Sequence, residues 1–62
     1  MKFRIGSVVL VRTENLFTLV QVTEKYKPYI CGFVLDTDST IFDGGDNYFI
    51  FNQEHIESVE EY

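Results

Sequence analysis

Apolar positions along the chain fall into four short runs, each closed by polar or turn-forming residues, and this rhythm predicts strands rather than helices. Residues 6–12 hold Val8-Val9-Leu10-Val11, a β-branched run that reads as a buried strand. Thr13-Glu14-Asn15 is polar and of hairpin-loop length. Across residues 16–23 the alternation is explicit. Leu16, Thr18, Val20 and Val22 share one face, predicted inward, while Phe17, Leu19, Gln21 and Thr23 share the other. Residues 24–28 are predicted as the next turn, because Pro28 lacks the N–H that a sheet ladder needs.

The third run covers residues 29–35, and Gly32 within it marks a bulge or a sharp bend. Residues 36–46 form the longest irregular stretch. Inside it Thr40-Ile41-Phe42 is predicted as a short strand and Asp43-Gly44-Gly45-Asp46 as a tight turn, since paired glycines take positive φ at little cost. The fourth run is residues 47–51. Asn52 then fits the N-cap of a helical turn with Glu54 in its first turn, where a negative charge suits the helix dipole. A last strand over residues 56–60 turns Ile56 and Val59 toward the core. The fold class read from this pattern is all-β: a single domain over residues 1–62, built as a small SH3-like barrel of five or six short antiparallel strands with one short helical turn near the C-terminus.

Composition supports a folded domain of this kind. The chain has 62 residues, of which 45% are hydrophobic and 16% aromatic, with six Phe, four Tyr and no Trp. A domain of this size buries only about 60% of the surface that its unfolded chain exposes, so it needs the apolar side chains it has. Five basic residues face ten acidic ones, for a net charge of −5. That balance argues against DNA and RNA, whose affinity rests largely on Lys and Arg contacts to phosphate. Cys31 is the single cysteine, so no intrachain disulfide forms, in keeping with a reducing compartment. No apolar run approaches the ~20 residues of a membrane helix, and no secretory leader is read at the start, so a soluble cytoplasmic protein is expected.

Candidate chemistry adds little. Asp36-Thr37-Asp38-Ser39-Thr40 begins like an EF-hand loop, but Ile41 stands where that loop needs Gly and Asn47 where it needs Glu. A solvated loop is the expectation for residues 36–46, with Asp43 and Asp46 as the residues of a weak ion site if one exists there. Cys31 and His55 are the only nucleophile–base pair to weigh, and Cys31 falls in a strand predicted to be buried, where a thiol behaves as a small hydrophobe. Zinc needs about four ligands, mostly Cys or His, and the chain offers one of each. Gly44-Gly45 lacks the lysine and helix of a phosphate loop. No enzyme and no cofactor are expected. Lys25-Tyr26-Lys27-Pro28-Tyr29 interleaves cations with aromatics, as single-strand binders do, but is read first as a hairpin tip with solubilising lysines.

Two end segments resemble a family of small, poorly characterised proteins from Gram-positive bacteria. The first is Ile5-Gly6-Ser7-Val8-Val9-Leu10-Val11; the second is Tyr48-Phe49-Ile50-Phe51-Asn52-Gln53-Glu54-His55-Ile56, followed by Val59 and Tyr62. Where that family usually has a Pro-Glu-Gly turn, this chain has residues 36–46. Members are encoded beside LXG-type toxins of the type VII secretion system. The resemblance implies a non-enzymatic accessory or chaperone-like factor that binds such a toxin, a monomer or weak dimer with a protein partner encoded nearby. The alternatives are an immunity protein that neutralises a basic toxin domain and, third, a small-barrel nucleic-acid binder acting through Lys25, Tyr26 and Lys27. The candidate protein-binding residues are Phe17, Leu19, Tyr26, Tyr29, Tyr48, Glu54 and Glu57, outward aromatics and apolar groups together with the acidic end of the chain.

Overall fold

The computed structural model describes residues 2–38 and 47–60. They form five strands, β1 (Val8–Thr13), β2 (Leu16–Tyr26), β3 (Tyr29–Thr37), β4 (Tyr48–Asn52) and β5 (Ile56–Glu60), with a 3-10 turn, Gln53–His55, between the last two. All neighbouring strands are antiparallel in one sheet of order β4-β3-β2-β1-β5. The first four strands follow one another as a meander, and β5 returns to lie beside β1. The sheet is open: β4 and β5 are its edges, and no pairing among the described residues joins them into a barrel. Its extents of 29 × 24 × 21 Å are those of a curled sheet, because a flat one is only about 10 Å thick.

Register explains the core. Val9 faces Val20, Val20 faces Val34, Ile30 faces Phe51 and Val11 faces both Thr18 and Ile56, so one face of every strand contributes. The buried cluster is Val9, Val11, Val20, Val22, Ile30, Val34, Phe51 and Ile56, with Phe3, Phe49 and Val59 packed against it. β-Branched side chains dominate, as expected where a pleated surface must fill its own concave side. Thr18 is the one buried polar residue among those described. Its hydroxyl meets the Thr37 hydroxyl at 3.1 Å, and Thr37 in turn donates to the Phe17 carbonyl, so the buried group is satisfied.

Three register shifts curl the sheet. Thr23 of β2, Leu35 of β3 and Glu57 of β5 each lack an opposite residue in the ladder: Val22 and Glu24 flank Thr23, the Val34 and Asp36 pairings flank Leu35, and the Ile56 and Ser58 pairings flank Glu57. A bulge bends its strand and raises the local twist. Gly32 pairs with Val22 at the edge of the first bulge, and a methyl group on it would stand 2.3 Å from the Gln21 carbonyl oxygen and 2.5 Å from Val20 Cγ1. Its small size therefore lets two strands close on one another. The extra residue that the glycine foretold lies across from it, on β2.

Elsewhere the pattern holds with shifts at the ends. The polar loop after β1 is a two-residue hairpin in which Glu14 (φ 47°) and Asn15 (φ 72°) both take the left-handed conformation of a type I′ turn. Asn52 caps the 3-10 turn as expected, its side chain accepting from the Glu54 N–H at 3.0 Å. The stretch 24–28, expected as a turn, is mostly strand: β2 runs on to Tyr26, which pairs with Tyr29, and only Lys27 and Pro28, joined by a cis peptide, make the turn. Continued pairing of Lys25 with Ile30 overrides the charge signal there. Leu16, expected inward, is exposed, because it pairs with Thr13 at the last rung before the hairpin, where the concave face runs out. Asp36 and Thr37 belong to β3 rather than to the loop. The predicted strand 40–42, the Gly44-Gly45 turn and the ion-site residues Asp43 and Asp46 lie outside the described residues.

Candidate protein-docking surface

The side of the sheet away from the core is unusually apolar over β2, β3 and β4. On β4, Phe49 and Phe51 point to the core, and Tyr48 and Ile50 point outward. On β3 the outward positions opposite them are Phe33, which pairs with Tyr48, and Cys31, which pairs with Ile50. Tyr26 and Tyr29 pair at the hairpin end of the same face. Exposure is large for Tyr26 (62%), Ile50 (60%), Tyr29 (54%), Leu35 (52%) and Phe33 (49%), with Tyr48 at 36%. The four aromatic side chains among them, roughly 150–250 Å² each and left about half open, amount to about 400 Å². Isolated exposed apolar residues are ordinary, and it is contiguous patches beyond the roughly 300–600 Å² of a typical monomer's largest patch that mark interaction sites.

At the middle of this face a polar cluster is built on the Thr23 bulge. Tyr26 donates its hydroxyl to Glu24 Oε2, and the Tyr48 hydroxyl reaches Glu24 Oε1 at 3.3 Å and Thr23 Oγ1 at 3.4 Å. Thr23 itself donates to the Cys31 carbonyl at 3.3 Å. The bulge is what brings Thr23 and Glu24 to one place: without it, residue 24 would turn to the concave side. The hydrogen bond to Glu24, and then the charge of that carboxylate, hold the Tyr26 hydroxyl above its ordinary pKa. For Tyr48 the Thr23 hydrogen bond pulls the other way, yet desolvation, Cys31 and Glu24 together leave it raised. Phe33 stacks edge-on against Tyr48, with ring centroids 5.4 Å apart, and completes an aromatic wall.

The seven residues singled out from sequence separate into distinct places. Tyr26, Tyr29 and Tyr48 come together on the apolar face. Phe17 and Glu57 meet through Arg12, whose Nε donates to Glu57 Oε2 at 3.1 Å while its guanidinium carbon lies 3.9 Å from the centre of the Phe17 ring. Both are thus engaged within the molecule. Leu19 is half-buried between Leu10 and Asp36. Glu54 sits on the 3-10 turn and shares a shallow cleft with Lys2, Phe3, Lys25, Lys27 and Pro28. Phe33, Leu35 and Ile50 escaped the sequence reading. Their signal was present in Phe33-Val34-Leu35 and Tyr48-Phe49-Ile50-Phe51, runs that are apolar on both faces of a strand and so announce a second apolar surface.

The basic tract separates as well. Lys25 lies on the concave side, donating to the Phe3 carbonyl at 3.0 Å with its ammonium 4.5 Å from the Phe3 ring centre, whereas Tyr26 faces outward. Lys25 and Tyr26 therefore do not share one platform. Cys31 is buried and His55 exposed. Among the described residues no three His, Cys, Asp or Glu side chains are grouped as metal ligands would be, and no helix is long and apolar enough to cross a membrane. Compared with known protein families, curated proteins and solved structures, the chain matches none.

Proposed function

We propose that this chain is a non-enzymatic protein-binding module that docks its partner on the outer face of β2, β3 and β4. The observation that carries this reading is the pair of strands β3 and β4, apolar on both sides, with one side spent on the core and the other left open at Phe33, Leu35, Tyr48 and Ile50. β4 is also an edge strand, to which a strand of a partner can add by main-chain hydrogen bonds. The meander order, the 3-10 turn leading into β5 and the three bulges support classing the fold with SH3-like barrels. The resemblance of the two end segments gives the context: a cytoplasmic accessory or chaperone-like factor for a type VII secreted toxin, monomeric or weakly dimeric when free.

The test is co-purification of the tagged protein with the products of its neighbouring genes, in wild type and in Ile50→Glu. Capture of a neighbour by wild type and its loss in the folded variant is the expected result. Capture that survives Ile50→Glu moves the docking surface elsewhere and overturns the reading. Secretion of the captured toxin falls when the factor is deleted; protection of growth with secretion unchanged identifies an immunity protein instead.

A further inference from the structure

Glu24 stands on the apolar face with Tyr26 and Tyr48 bonded to it, and among the described residues it makes no ion pair. Among the described residues the ion pair is Arg12 with Glu57, on another part of the sheet. Glu24 instead accepts two phenol hydroxyls, one on each oxygen. A carboxylate offers about four lone-pair positions, so two phenols leave acceptor capacity unused. Tyr26 and Tyr48 are bonded to it and Phe33 packs edge-on against Tyr48, so exposed aromatic rings adjoin the carboxylate, and ring faces attract cations. An exposed carboxylate held in place by two tyrosines, without an ion pair among the described residues, is costly to cover with an apolar partner, which would strand its charge.

Resting on the docking reading above, we propose that the occupant of this face is an extended basic segment of a partner protein, whose arginine or lysine side chain seats on Glu24 between Tyr26 and Tyr48 while its aliphatic residues cover Phe33, Leu35 and Ile50. The net charge of −5 favours such a partner at longer range. Arginine suits the site better than lysine, because a planar guanidinium pairs with a carboxylate and stacks on an aromatic ring together. A second copy of this chain is disfavoured, since it would bring another carboxylate to the same place.

The experiment uses the full chain and three blocked pentapeptides that alternate valine with arginine, with citrulline or with glutamate. Binding is followed by NMR shifts. The arginine peptide is expected to move the signals of Glu24, Tyr26, Tyr48 and Phe33 and to bind about tenfold more tightly than the citrulline peptide, as one charge-assisted contact allows. Glu24→Gln removes that preference, Glu14→Gln at the hairpin turn leaves it, and added salt weakens it. Equal binding of arginine and citrulline peptides at this face overturns the cation preference and leaves the docking reading standing. Arginine-peptide shifts mapping to other residues, or no binding by any of the three, overturns the inference as well. So does a dimer that dissociates in Ile50→Glu, which makes a second copy the occupant.

Discussion

At Gly32 and Glu24, single atoms decide what the sheet can do. Even one methyl at Gly32 collides with the backbone of β2, not merely with a flexible side chain. Gly32→Ala should therefore cost about 2 kcal/mol, within the usual range for overpacking a core, and lower the thermal midpoint by roughly 10 °C for a domain of this size. Chemical denaturation checks it, and a neutral result would mean that the strands separate freely. Glu24 sets a different dependence. Because its hydrogen bond raises the Tyr26 pKa in the folded state, the protonated phenol is favoured on folding. The contribution is complete below the unfolded tyrosine pKa and is lost as pH climbs through the folded one, so stability should fall at alkaline pH. In Glu24→Gln the Tyr26 titration, followed by NMR, should move down toward its ordinary value, and the alkaline loss should begin less steeply. Sequence could name Gly32 as a special position but not Glu24, whose partners come from a second strand and from a bulge that no local pattern displays.

Among the elements, the β1–β2 hairpin is well specified in place and poorly in chemistry. Its two turn residues are both left-handed, yet only Asn15 belongs to the types that take this conformation readily. Replacing Glu14 and Asn15 together, by Glu14→Asn and Asn15→Gly, should raise stability by about 1 kcal/mol, seen as a higher denaturation midpoint with an unchanged slope. The Arg12–Glu57 pair links β1 to β5 at the bulge, but both side chains are more than 40% exposed. A double-mutant cycle with Arg12→Ala and Glu57→Ala should return a coupling below about 1 kcal/mol. Strand positions were legible because β-branched runs and turn residues alternate so clearly. The extension of β2 to Tyr26 was not, because the cross-strand pairs Lys25 with Ile30 and Tyr26 with Tyr29 outweigh the local charge and proline signal.

For the whole molecule, two apolar surfaces are drawn from one small set of strands. The concave one holds the fold together, and the convex one is exposed and is the proposed docking face. Substitutions on each should therefore separate cleanly. Val20→Ala or Ile30→Ala should cost about 2–4 kcal/mol and abolish binding by unfolding, whereas Ile50→Glu should remove binding with a stability change within about 0.5 kcal/mol. Parallel denaturation and partner-capture measurements distinguish the two classes. The concave set was legible on β2, where polar and apolar residues alternate. The convex set was legible in part: Tyr26, Tyr29 and Tyr48 were named from sequence, whereas Phe33 and Ile50 stand in runs where both neighbours are also apolar and period two gives no contrast.

The three bulges also govern how the sequence can vary. Each adds one residue and so reverses the phase of the pleat beyond it. In β2 the permissive outward positions are odd-numbered through Gln21 and even-numbered from Glu24 onward. A saturation screen for folded protein should show tolerance alternating along each strand and then skipping a beat at Thr23, Leu35 and Glu57. A deletion at any of these three should be accepted better than a deletion elsewhere in the same strand, because removing the extra residue leaves every later side chain on the face it already occupies, whereas a deletion elsewhere turns side chains to the opposite face.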